Sequence, residues 1–140
     1  ISGDFKYLYF CGKNRNDNVG KEDIYVSINE MGKWQKPQIV EELSQSYTNE
    51  GPLSISTDGT KMLIFREGKI LFTEKTENGW SSPELIEDPI NNGQWNADAV
   101  LTSDGMAILF SSTRKGGYNF KENISANKNY PSESNYKFCL

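Results

Sequence analysis

The chain repeats itself, and the period of the repeat limits what it can fold into more than any composition figure does. The stretch "SISTDGTKMLIF" (Ser54–Phe65) returns as "VLTSDGMAILF" (Val100–Phe110), and a weaker copy, "ISGDFKYLYF" (Ile1–Phe10), opens the sequence. Three separate markers keep one register of 46 residues: Asp58 with Asp104, Trp34/Pro37 with Trp80/Pro83, and "DIYVS" (Asp23–Ser27) with "KILFT" (Lys69–Thr73). Only Asp4 is out of step, 54 residues before Asp58, and the eight additional residues fall in "GKNRNDNVGKED". Self-similarity at a fixed period of a few tens of residues is the signature of stacked repeat architectures.

Each unit reads as four short strands. In the complete one these are Pro52–Ser56, Lys61–Arg66, Lys69–Lys75 and Trp80–Glu87, separated by Asp58-Gly59, Glu67-Gly68 and Asn78-Gly79. Asp-Gly and Asn-Gly between apolar runs signal tight hairpins, because type I′ turns need positive φ at both centres. Met62 and Ile64 fall on one face of the second strand, Leu63 and Phe65 on the other, so both faces need covering. No segment carries a helical stripe. The expected class is therefore all-β, built of β-propeller blades: about 1–47, about 48–93, and about 94–140 with an irregular tail. About three blades do not close a ring, since propellers typically have roughly four to eight. The chain is then a fragment of a longer propeller, or it closes with copies of itself, or its tail strand Asn135–Leu140 pairs against the first blade.

Composition narrows the function. Net charge is −4 with scattered Lys and Arg, which argues against nucleic acid, and no apolar run is long enough to span a bilayer. Seventeen aromatics (7 Tyr, 7 Phe, 3 Trp) offset a hydrophobic content of only 36%. The sequence begins at Ile1 inside a repeat, the expectation for a fragment or a processed product. Cys11 and Cys139 are read either as two free thiols or as a disulfide between the first and last strands. No CxxC pair supports a zinc or redox site.

Several stretches together resemble the WD-like propeller repeats of the TolB-like family. They are Ser56–Lys61, Ile108–Arg114 with Gly116-Gly117, Asp23-Ile24-Tyr25, the two Trp-x-x-Pro pairs, and the lead-in "NEGPLSIS" (Asn49–Ser56). The nearest subgroup is the one found beside OmpA-like, peptidoglycan-binding domains. The resemblance covers roughly residues 1–118, with Thr57 and Ser103 replacing the family's usual proline. It implies an extracytoplasmic setting in the bacterial envelope and a role as an interaction scaffold.

Candidate ligand residues follow from the register. Asn49-Glu50 is equivalent to Trp95-Asn96, and both pairs lead into the innermost strands, where a propeller channel opens. Glu50 and Asp98 would supply carboxylates and Trp95 a platform for a polar ligand such as a sugar. The structural alternative is that Asn49 and Glu50 brace neighbouring blades. Arg15 and Arg114 follow the second strands of their blades; they pair with carboxylates or bind an anion. In "NRNDNVGKED", oxygens on Asn14, Asn16, Asp17 and Asn18 invite a calcium reading, but Val19 and Tyr25 stand where an EF-hand loop needs Gly and Glu. A solvated, mobile loop capped by Asp23 is expected there instead. The "NIS" triplet (Asn123–Ser125) carries little weight as a glycosylation signal.

The chain contains no His, which removes Ser-His-Asp and Cys-His arrangements and the usual zinc sites. The expectation is a non-catalytic module with no cofactor and no metal, binding a protein or glycan of the envelope, and a homo-oligomer should the chain be complete. The alternatives are a carbohydrate-active enzyme using Glu50 and Asp98, or a self-assembling lectin-like module.

Overall fold

A run such as Lys61–Arg66, "KMLIFR", leaves no polar face to give to water and has to be covered from both sides. The computed structural model covers it so. It describes residues 1–45, 47–92, 95–102 and 107–112, together with the backbone of Asn135–Cys139. The described residues are all-β, with one short 3₁₀ turn at Glu41–Leu43 and no α-helix. Three antiparallel sheets form. The first holds β1 (Tyr7–Lys13), β2 (Glu22–Glu30), β3 (Lys33–Trp34) and β4 (Gln38–Ile39). The second holds β5 (Glu50–Ile55), β6 (Lys61–Arg66), β7 (Lys69–Thr76), β8 (Gly79–Trp80) and β9 (Glu84–Leu85). The third holds β10 (Asn96–Leu101), β11 (Ile108–Ser112) and β12 (Asn135–Cys139).

The 46-residue register survives into the backbone. Tyr25 faces Ile39 as Leu71 faces Leu85, and Asn29 faces Trp34 as Lys75 faces Trp80. The Ser27 hydroxyl donates to the Gln35 carbonyl at 2.6 Å, and Thr73 repeats this on Ser81 at 2.8 Å. β5 and β10 both shift register, one residue apart in the repeat: between Pro52 and Ser54 and between Ala97 and Ala99.

The recurring Ser-x-Asp motif is a hydrogen-bonded turn. The Ser56 hydroxyl donates to Asp58 Oδ1 at 2.6 Å and accepts from Lys61 N at 2.9 Å, while Thr60 N donates to the same Asp58 oxygen at 3.1 Å. Ser2, Asp4, Lys6 and Tyr7 repeat it with 2.6, 3.0 and 3.0 Å. In the third unit Thr102 keeps both the backbone bond and the hydroxyl's bond from Ala107 N, and Asp104 lies outside the described residues. It is not the type I′ hairpin that Asp58-Gly59 suggested. Only Gly59 has positive φ (73°), whereas Met31-Gly32 (51°, 80°) and Glu67-Gly68 (47°, 79°) have it at both centres. The serine and aspartate side chains supply the bonds that a tighter backbone turn would have made.

Those bonds favour the ionised carboxylate. The Ser56 hydroxyl, then the Thr60 backbone and hydroxyl, bring Asp58 from 3.8 down to about 2. A carboxyl with a depressed folded-state pKa stabilises the fold above its unfolded value and loses that contribution as pH falls toward the folded one. Asp58→Asn is therefore expected to lower the urea midpoint at neutral pH. It should also flatten the loss of stability between about pH 4 and pH 2. Urea titrations of both proteins across that range check this, and identical pH slopes would contradict it.

The core lies between the sheets. Ile24, Val40 and Leu43 meet Met62, Ile64, Leu71 and Trp80 on one side of the second sheet. Leu63 and Ile70 meet Ala99, Leu101 and Phe110 on the other. Burying each such side chain contributes roughly 1.5–3 kcal/mol. Across the first junction Tyr9 and Trp80 pack edge to face with centroids 5.9 Å apart.

Two expectations are corrected. The outer strand expected over Trp80–Glu87 is broken into β8 and β9, because Pro83 has no N–H to give the ladder. The tail strand does not pair against the first unit: Asn135–Cys139 lies antiparallel to β11, with Cys139 opposite Ile108. Cys11 carries a free, exposed thiol, and the Cys139 side chain lies outside the described residues. The polar loop after β1 keeps Asn14, Asn16 and Asp17 exposed, as expected of it. Asp23, fully buried, accepts from Val19 N (2.9 Å), Gly20 N (3.0 Å) and Asn18 Nδ2 (2.7 Å), the capping role expected of it.

Candidate functional site

The candidate residues gather at the end of the sheets opposite the Ser-x-Asp turns. Here the loop between β1 and β2 meets the connection into β5, and the Glu67-Gly68 turn meets the connection into β10. Backbone bonds stitch these segments together: Lys21 N donates to Thr48 O at 3.0 Å, Glu22 bridges Asn49 in parallel, and Asn96 N donates to Gly68 O at 2.9 Å. One rule thus serves both junctions, with the first strand of the second and of the third sheet beginning on a turn or loop of the sheet before.

Glu50 opens β5 with its side chain wholly buried. Its Oε1 accepts from the Thr48 hydroxyl and from Arg66 Nε at 3.0 Å. Arg66 sits directly across the ladder and also donates from Nη2 to the Leu43 carbonyl at 3.2 Å. The second oxygen, Oε2, is buried with no partner among the described residues. Burial raises the Glu50 carboxyl above its ordinary range, against the pull of Thr48 and Arg66. Asn49 points the other way: its N and Nδ2 both donate to Glu67 Oε1, at 2.8 and 2.7 Å. Those two bonds hold Glu67 below the usual range.

The equivalent position in the third unit is chemically different. Asn96 is as buried as Glu50, but it is neutral, and Ser112 faces it where Arg66 faces Glu50. Its amide lies 3.5 Å from Gly68 O and from Asn91 Oδ1. Asn91 in turn clamps β7, accepting from Ile70 N at 2.9 Å and donating to Ile70 O at 2.7 Å and Ile86 O at 2.6 Å. Trp95 lies against the Gly68 turn and the Phe65 ring (centroids 5.3 Å), with half of its surface exposed. Gly68 has to be glycine on two counts. Its φ is +79°, and a Cβ there would stand 2.8 Å from Trp95 Cε3.

Arg15 pairs within its own loop. It bonds Asp17 two residues on, at 3.1 Å, and its guanidinium lies over the Tyr25 ring, 4.3 Å from the centroid. Bonded to Arg15, Asp17 is held below its usual range, and its Oδ1 also accepts from the Tyr25 hydroxyl at 3.1 Å. Arg114 lies outside the described residues.

The expected set therefore divides. Asn49, Glu50 and Asn96 are bracing groups at the junctions between sheets, and Arg15 closes its own loop. Trp95 and Asp98 are exposed, Asp98 with φ +48° at the bulge of β10. Glu50 and Asp98 are not alike, since one carboxylate is sealed under Arg66 and the other faces solvent. Among the described residues, no three His, Cys, Asp or Glu side chains are placed to hold a metal ion. Sequence reasoning missed Thr48, Arg66, Glu67 and Asn91. Arg66 was within reach, because the Glu67-Gly68 turn and the register fix it opposite Glu50. Asn91 falls where the preceding unit has Gln45, so the repeat holds no signal for it. Scanned against protein-family models the chain matches none, and a search of curated proteins returned no match.

Proposed function

We propose that these sheets are stacked units of a β-propeller of the TolB-like repeat type, acting as a non-catalytic binding module in the bacterial envelope. The ligand is a glycan or protein partner taken at the end of the sheets that carries Trp95. The propeller reading is supported by a backbone register that repeats every 46 residues and by a middle sheet with apolar cores on both faces. The setting rests on the family resemblance alone.

One observation carries the binding role: the half-exposed indole of Trp95, backed by Gly68 and Phe65. A rigid aromatic face with bracing behind it binds the apolar side of a sugar ring or a partner side chain at little entropic cost. The carbohydrate-processing alternative is weakened by Glu50, whose carboxylate is buried against Arg66 and Thr48 rather than presented to a ligand.

A glycan array including peptidoglycan fragments, followed by calorimetry on any hit, tests the reading. Trp95→Ala should keep the fold and weaken binding by about tenfold or more. A bound glycan whose affinity is unchanged in Trp95→Ala would remove Trp95 as the platform.

A further inference from the structure

Every junction in the stack joins unlike faces. Tyr9, Ile24 and Val26 of the first sheet look toward the second, and their repeat equivalents Leu63, Ile70 and Phe72 look toward the third. The opposite face of the second sheet, with Met62, Ile64 and Trp80, looks back at the first. Alternation along β1 then directs Leu8 and Phe10 outward, the equivalents of Met62 and Ile64. Trp34, the equivalent of Trp80, lies on that same outer side, 43% exposed against 8% for Trp80. At the far end of the stack, Val100 and Leu109 alternate with the buried Leu101 and Phe110 and are 53% and 38% exposed. The two ends thus carry the two halves of a junction that the chain already makes twice.

We propose that the outward face of the first sheet, built on Leu8, Phe10 and Trp34, docks the outward face of the third sheet, built on Val100 and Leu109, of a second copy of this chain. The proposal rests on the stacked-unit reading above and names a partner for these two exposed faces. The register even specifies a contact. Tyr9 and Leu109 are repeat equivalents, so the Tyr9–Trp80 contact inside the chain becomes Trp34 on the partner copy's third sheet, at the Leu109 position. The upper part of the docking face is closed by its own loop, where Arg15 covers Tyr25 and Asp17 and Asn18 bond its hydroxyl. Along β1 the stretch Tyr7–Gly12, "YLYFCG", carries no charge, proline or bulge, the devices by which an edge strand discourages pairing, before Lys13 ends the strand. A contact between unlike faces closes into a ring or runs on head to tail.

Sedimentation velocity over a concentration series reads the outcome on the intact 140-residue chain. Wild type is expected to sediment above the monomer mass as concentration rises. Trp34→Lys and Leu109→Lys, both at solvent-accessible positions, should each sediment closer to the monomer, with far-UV circular dichroism and melting unchanged. Mixing these two variants should restore a two-chain species, because one intact pair of faces remains. A wild type that stays monomeric at every concentration, or an association that ignores both substitutions, overturns the proposal. Amide-exchange protection at Leu63, Leu71 and Phe110 in that monomer would show the stack intact, and its absence would count against the stacked-unit reading itself.

Discussion

Arg66→Ala should lower the unfolding free energy by about 3–5 kcal/mol, the range for leaving one partner of a buried ion pair uncompensated. The Glu50 carboxylate it abandons is fully buried, keeps only the Thr48 hydroxyl, and already has an oxygen without a partner among the described residues. Arg66 also satisfies the Leu43 carbonyl at the tip of the 3₁₀ turn, so the same substitution loosens the connection into β5. The chain contains its own control for this experiment. At the equivalent place in the third sheet, Asn96 stands opposite Ser112, a neutral pair with no charge to strand. The double variant Glu50→Asn/Arg66→Ser should therefore cost no more than about 1–2 kcal/mol, well short of the single substitution. Acidity supplies a second arm. Burial raises the Glu50 carboxyl in the fold, so its ionised form opposes folding as pH rises through the folded value. Without Arg66 that opposition is stronger, and the deficit of Arg66→Ala should shrink on acidification from neutral pH toward about pH 4. Urea denaturation of the three proteins across this range measures all of it. A single substitution costing no more than the double would show that the pair is not coupled.

The contrast between Glu50 and Asn96 also shows what a repeat does and does not make legible. Strand positions, pairing partners and the two-faced burial of Met62, Leu63 and Ile64 follow from spacing and alternation, because backbone geometry recurs wherever the pattern recurs. Side-chain roles recur less faithfully. Asn49 and Trp95 share a register position, yet one clamps Glu67 through two hydrogen bonds and the other lays an indole on Gly68. Polarity at the approach to a strand suggested ligand contact for Glu50. The deciding fact was the depth of the position under Arg66, which no single-sequence pattern carries. The loop after β1 was legible in larger part: Asn14, Asn16 and Asp17 are exposed and Asp23 caps the loop, though nothing in "NRNDNVGKED" reveals that Asp23 itself is fully buried. Outer-strand breakage at Pro83 was open to inference from proline's missing N–H. The bonds that replace a type I′ turn at Asp58 were not, because serine and aspartate compete with glycine for the same bend.

Leu63→Ala should cost about 2–5 kcal/mol, while Leu109→Ala at the equivalent repeat position should cost about 1 kcal/mol or less. Both leucines sit in central strands with neighbours on each side: Leu63 between Ser54 and Phe72, Leu109 between Val100 and Phe138. Within-sheet pairing is therefore matched, and propensity cannot separate them. What differs is the sheet above. Leu63 is fully buried against the third sheet, whereas Leu109 faces outward and is 38% exposed. Removing Leu63 opens a cavity between two layers that cannot collapse without moving β6 or β10, and the cost of such truncations rises with the cavity left behind. Removing Leu109 in the monomer takes surface from water and leaves no void. Chemical denaturation of both variants at a concentration too low for association gives the comparison. A large difference would place the stability of this chain in the stacking of its sheets, as in other repeat assemblies whose units are held by their nearest neighbours. Equal losses would place it within each sheet, and an isolated unit would then be expected to fold alone.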